Sequence, residues 1–190
     1  LEQLGVSYLS LAGAKRPVDA LEQESLIGAA IRALVKSTSL APTYDRQMIL
    51  GEAYELAGRY REAEDIYRSA LDSGQSAGKE AAALALARLL ERTGKTQDAL
   101  SVLQTAFATG LQSASVRYEI GRLQFARSDF TGVIQALSPV AATVPAAQSA
   151  ETRYMLSVAE TVLRRDGWQA RARAYADEAA QANSFSAKYA

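Results

Sequence analysis

Leu50-Gly51-x-x-Tyr54, Gly58-Arg59-Tyr60 and Glu62-Ala63-x-x-Ile66-Tyr67-x-x-Ala70 form a pattern that returns twice more in the chain. The second copy is Leu86-Ala87-x-x-Leu90, Gly94-Lys95-Thr96 and Asp98-Ala99-x-x-Val102-Leu103-x-x-Ala106. The third is Ile120-Gly121-x-x-Gln124, Ser128-Asp129-Phe130 and Gly132-Val133-x-x-Ala136-Leu137-x-x-Val140. Gly51, Ala87 and Gly121 are spaced by about 36 and about 34 residues, the period of units that stack into a solenoid. Stacked units present extended surfaces, so the period also points to binding.

Within each copy, small residues stand where two helices must touch. Gly51 allows the second helix of its pair to come close, and Ala63 and Ala70 do the same from the other side. Tyr54, Ile66 and Tyr67 fill the volume between them. Gly58 and Gly94 mark the turns, because glycine accepts positive φ just past a helix end. The expected core comprises Leu50, Tyr54, Ala63, Ile66, Tyr67, Leu86, Leu90, Ala99, Leu103, Ile120, Val133 and Leu137.

These residues resemble the tetratricopeptide repeat family, whose helix–turn–helix units carry small and aromatic residues at such spacings. The resemblance covers 43–76, 80–110 and 114–145, the last ending on the Pro145 that the family often places there. The third copy departs at Gln124, where an aromatic or aliphatic residue is usual. It departs again at Pro139, which predicts a kinked or shortened second helix. The flanks, 1–42 and 147–183, read as degenerate helix pairs. Leu4-Gly5-x-x-Tyr8 repeats the first-helix signature, but Gly13–Pro17 delays its second helix, which an Asp19–Glu22 capping box starts and which runs to about Ser39. Helices over 149–165 and 167–183 turn at Asp166-Gly167. The expected fold is all-α, a right-handed superhelix of about five antiparallel helix pairs forming a single solenoid over 1–190. Opening on Leu1 in the middle of a helical pattern, the chain reads as a piece of a longer one.

Composition narrows the function. Twenty-one basic residues balance 21 acidic ones, so no net field draws nucleic acid or an anionic membrane. Alanine, at roughly a fifth of the residues, favours helices that approach closely. Without cysteine there is no disulfide or thiolate chemistry, and periplasm and cytoplasm are both compatible. No apolar run reaches the roughly 20 residues needed to span a bilayer.

Histidine is absent, which removes the commonest general base and metal ligand. Glu52 with Glu55, and Glu62 with Glu64 and Asp65, could act as carboxylate pairs, but arginines beside them mark solvated, charge-balanced faces. Gly94-Lys95-Thr96 lacks the second glycine of a phosphate-binding loop, since Leu89 stands in its place, and it follows a helix instead of a strand. Arg164, Arg165, Arg171 and Arg173 cluster, yet Asp166, Asp177 and Glu178 dilute them and no aromatic is interleaved. Trp168 reads as a staple for the last helix. No enzyme activity, cofactor, metal or nucleic acid is expected.

The remaining face of each first helix carries Met48, Glu52 and Glu55, then Leu84, Arg88, Glu91 and Arg92, then Tyr118, Arg122 and Phe125. In the tetratricopeptide family such helices line a concave surface that holds peptides or partner helices. The resemblance therefore implies a groove running from acidic to basic and aromatic, suited to a segment with an acidic stretch and an apolar anchor. The lysine–asparagine clamp of co-chaperones in this family is not matched, since the only asparagine is Asn183. The expected function is a protein-interaction scaffold, and its irregular, alanine-rich repeats resemble those of bacterial envelope, secretion and polysaccharide-export assemblies. A spacer or self-associating role is the alternative.

Overall fold

The computed structural model describes residues 1–13, 20–73 and 76–181, and these form ten α-helices, a 3-10 turn and no strand. They are α1 (Glu2–Ala12), α2 (Ala20–Leu40), α3 (Tyr44–Leu56), α4 (Tyr60–Ser73) and α5 (Ser76–Arg92), followed by α6 (Thr96–Ala108). Then come α7 (Ala114–Ala126), α8 (Phe130–Leu137), the 3-10 turn Ser138–Val140, α9 (Ala146–Leu163) and α10 (Trp168–Gln181). The all-α expectation holds. Asp19 and most of the Gly13–Pro17 segment lie outside the described residues, as do Ala182 and Asn183.

Two compact units divide the chain, Leu1–Ala99 and Leu100–Ala190, with the boundary inside α6. In the first, α1 pairs with α2 and α3 with α4, while α1 touches α3 and α3 touches α5. In the second, α7 pairs with α8 and α9 with α10, and α7 touches α9. Thus within each unit the first helices of successive pairs lie side by side.

Helix starts follow the polar residues that precede them. Thr43 caps α3 by accepting from the Arg46 N–H, Ser113 caps α7 by accepting from Val116, and Asp129 caps α8 by accepting from Gly132. Each satisfies an amide that the helix leaves orphaned. At the ends of α3 and α5, Gly58 and Gly94 take φ of +69° and +79°. The third copy puts Ser128 at the same place with φ of +59°, where a Cβ crowds the backbone. Pro139 acts as expected: α8 stops after eight residues and continues as the 3-10 turn, because proline has no N–H to donate.

Every residue of the expected core is buried except Ile66, which is half-buried on α4. Ile66 precedes Tyr67, and it is Tyr67 that points fully inward, at 1% exposure. Opposite it is Gly51, where an added Cβ would lie 2.4 Å from the Tyr67 ring. Gly121 meets Leu137 in the same way, also at 2.4 Å. Gly51→Ala is therefore expected to destabilise the protein by about 1–3 kcal/mol through overpacking. Ser128→Gly is expected to stabilise it by about 1 kcal/mol by relieving the left-handed backbone. Urea unfolding of the two variants checks both signs.

Candidate functional site

On the first unit's row of α3 and α5, the buried positions are Gln47, Leu50, Gly51, Ala53 and Tyr54, then Ala82, Ala83, Leu86, Ala87, Leu89 and Leu90. Between them the candidate positions stay accessible. Met48, Glu55, Leu84 and Glu91 are half-buried, whereas Glu52, Arg88 and Arg92 are exposed. Helical spacing accounts for this division, since residues three and four apart share a face.

The acidic and basic ends expected on this face are partly joined. Glu55 accepts from the Tyr67 hydroxyl at 2.7 Å through Oε1 and pairs with Arg92 through Oε2 at 2.5 Å. One carboxylate thus links α3 to α4 and α5. Arg92 also lies 4.9 Å from the centroid of the Tyr60 ring, within the range of a cation–π contact. Arg88 and Glu91 are likewise engaged within the protein. The face therefore offers pre-positioned charges held by neighbours, which lowers the ordering cost of contact with a partner.

In the second unit the three candidates separate. Tyr118 is 5% exposed and donates its hydroxyl to Glu151 on α9 at 2.8 Å, so its ring belongs to the packing and not to an open surface. Phe125 is half-buried in an aromatic cluster, with ring centroids 6.0 Å from both Phe130 and Tyr154. Arg122 is half-buried and donates to Glu119 at 2.8 Å. The aromatics at this spacing serve the core first.

Several of the other charged groups singled out from the sequence are paired within the protein. Glu62 pairs with Arg59 at 2.8 Å, and Glu64 takes both Arg68 at 2.6 Å and Lys95 at 2.8 Å. Lys95 is the lysine of Gly94-Lys95-Thr96, so that sequence is a turn with an ion pair. Within the arginine cluster, Arg171 grips the buried Glu160 through two hydrogen bonds of 2.8 Å, a bidentate fork. Sequence reading missed Glu160, because nothing local distinguishes it from a surface glutamate. Trp168 opens α10 and is half-buried. No group of acidic residues among the described ones is arranged to hold a metal, and no described helix is long and apolar enough to cross a membrane.

Residues 48–79 and 82–115 match a family described as tetratricopeptide repeat. No curated protein matches. Among solved structures, a crystal structure of MamA is similar over 92% of this chain and all of that one, at 19% identity and a TM-score of 0.65. MamA 41-end from Desulfovibrio magneticus RS-1 is similar over 98% of this chain and 97% of that one, at 14% identity and a TM-score of 0.62. YrrB, described as a TPR protein with an unusual peptide-binding site, covers 97% and is itself covered over 88%, at 16% identity and a TM-score of 0.62. At these identities the likeness is one of fold.

Burial and a carboxylate neighbour push the phenols of Tyr67 and Tyr118 well above the ordinary tyrosine value. A raised native pKa means that the unfolded chain loses these protons first. The stability they contribute is complete below about pH 10, the unfolded value, and is lost as pH climbs beyond it. Thermal unfolding midpoints should therefore fall steeply above about pH 10. Tyr67→Phe should flatten that fall while lowering the midpoint at pH 7, because Glu55 loses a donor.

Proposed function

We propose that this tetratricopeptide-repeat chain is a non-catalytic interaction module that holds a partner peptide or helix against the first helices of its pairs. In the first unit the contact surface is the face of α3 and α5 that carries Met48, Glu52, Glu55, Leu84, Arg88, Glu91 and Arg92. In the second it is the face of α7 around Arg122 and Phe125, with Tyr118 fixing that helix from beneath. The observation that supports this best is the accessibility of the charged set on α3 and α5, alternating with buried small and aliphatic residues. Half-buried Met48 and Leu84 lie among these charges, a mixture suited to a segment with charged residues and an apolar anchor. Peptide binding by one protein of the same fold, YrrB, agrees with this reading. The proposed setting, on the resemblance of the alanine-rich repeats, is a bacterial envelope, secretion or polysaccharide-export assembly.

Affinity capture from the source cells, read by mass spectrometry, tests the reading. A protein retained by the wild type should be lost, at about 10–100-fold weaker affinity, by a Glu52→Arg, Arg88→Glu variant whose helicity is unchanged. Equal capture by both baits would remove α3 and α5 from the contact surface.

A second reading, self-association, has its own observation. Leu1, Leu4 and Leu11 are 52%, 47% and 51% exposed, and with half-buried Tyr8 they form a stripe at spacings of three and four along α1. Gly5 and Ala12 are buried instead, and Gly5 lies against Leu34 of α2. On this reading, sedimentation velocity should show a mass that rises with concentration and returns to the monomer in a Leu4→Glu, Leu11→Glu variant. A wild type that stays monomeric at about 100 μM, where even a micromolar interface would form, overturns it.

A further inference from the structure

At one buried position the third repeat carries an amide where the first two do not. Where they have Tyr54 and Leu90, it has Gln124, which is 8% exposed. The Gln124 Oε1 is buried without a hydrogen-bond partner, an arrangement that proteins rarely leave uncompensated. A second departure accompanies it. At the place of Glu62 and Asp98 the third copy has Gly132, and a Cβ there would lie 2.3 Å from the Gln124 Nε2. The glycine makes room for the amide.

Together they border a cleft of about 180 Å³ that lies wholly within the second unit, walled by α6, α7 and α8. Phe107, Ile120 and Ala136 supply its apolar surface, and Arg117 and Gln135 line it as well. The Arg117 guanidinium lies 4.5 Å from the Phe107 ring centroid. Among the described residues Arg117 has no carboxylate partner. A stacked guanidinium keeps its N–H edge free to receive an anion in a fixed direction.

We propose that this cleft binds one residue of a partner polypeptide in which a carboxylate stands beside a peptide N–H. The N–H donates to Gln124 Oε1, the carboxylate accepts from Arg117, and the apolar part of the residue rests on Phe107 and Ile120. A phosphate would satisfy Arg117 but, as a dianion, brings no donor for the orphaned oxygen and nothing for the apolar wall. A purely apolar side chain would fill the wall and leave both polar groups unmet. Only the combination answers all three features. The site is separate from the face of α3 and α5 and does not depend on its role.

N-acetyl-phenylalanine carries the three elements and serves as the probe. Titrated into the ¹⁵N-labelled protein, it should shift the side-chain amide resonances of Gln124 and Gln135, with Kd of about 1 mM as expected for a fragment of this size. The uncharged N-acetyl-phenylalanine amide and the Arg117→Ala variant should each weaken binding at least about tenfold, the loss of one charged hydrogen bond. Gln124→Leu, which copies the second repeat, should abolish binding while raising the unfolding temperature. That rise shows that a loss of binding is not a loss of fold. No shift at about 10 mM probe, or equal binding of the uncharged amide, overturns the proposal.

Discussion

The close approach of paired helices at Gly51 and Gly121 is the constraint on which the rest depends. Each glycine lets a large side chain, Tyr67 or Leu137, press against the backbone of the neighbouring helix where any Cβ would overlap it. This contact sets the spacing within a pair, and the spacing decides which positions are buried and which remain on the outer faces. Ala63 and Ala70 continue the small-residue side of the same seam, fully buried on α4. Dense packing of this kind leaves little room for adjustment, so the helices behave as rigid supports for what they display.

On that support the polar groups form bridges between helices that are distant in sequence. Glu55 ties Tyr67 and Arg92 together, Tyr118 reaches Glu151, Arg46 reaches Glu2 at 2.7 Å, and Arg171 clasps Glu160. Such pairs add modest stability where they are exposed. Their larger consequence is geometric. Side chains that would otherwise sample many rotamers are held in place, and a partner meets an ordered surface.

Periodicity made the helix pairs legible, because small residues and turn glycines recur at fixed offsets and each has a local physical reason. The same logic identified Pro139 as the end of α8, and it selected a core that is buried in all but Ile66. What periodicity could not supply is the direction of individual side chains on a helix flanked by neighbours on several sides. Tyr118 and Phe125 share the spacing of the accessible positions on α3 and α5, yet Tyr118 is buried with its hydroxyl on Glu151 of α9, and Phe125 is half-buried against Phe130 and Tyr154. Glu160 is the converse case, a charged residue inside, because an arginine one helix later compensates it. Both outcomes depend on contacts between helices, and no single window of sequence contains them.

Gln124 shows how a repeat array can acquire a site without rebuilding its fold. Each repeat contacts only its neighbours, so an imperfect residue in one pair costs stability locally and does not propagate. Tyr54 and Leu90 fill their positions, and the copies that contain them have no orphaned amide there. In the third copy the loss of packing is matched by a glycine across the seam that gives the amide its place. A Cβ at position 132 would lie 2.3 Å from the Gln124 Nε2, so the amide in its present rotamer and the glycine go together. The pair of changes is what a polar recess requires, and the arginine stacked beside it supplies the charge that gives the recess a preference.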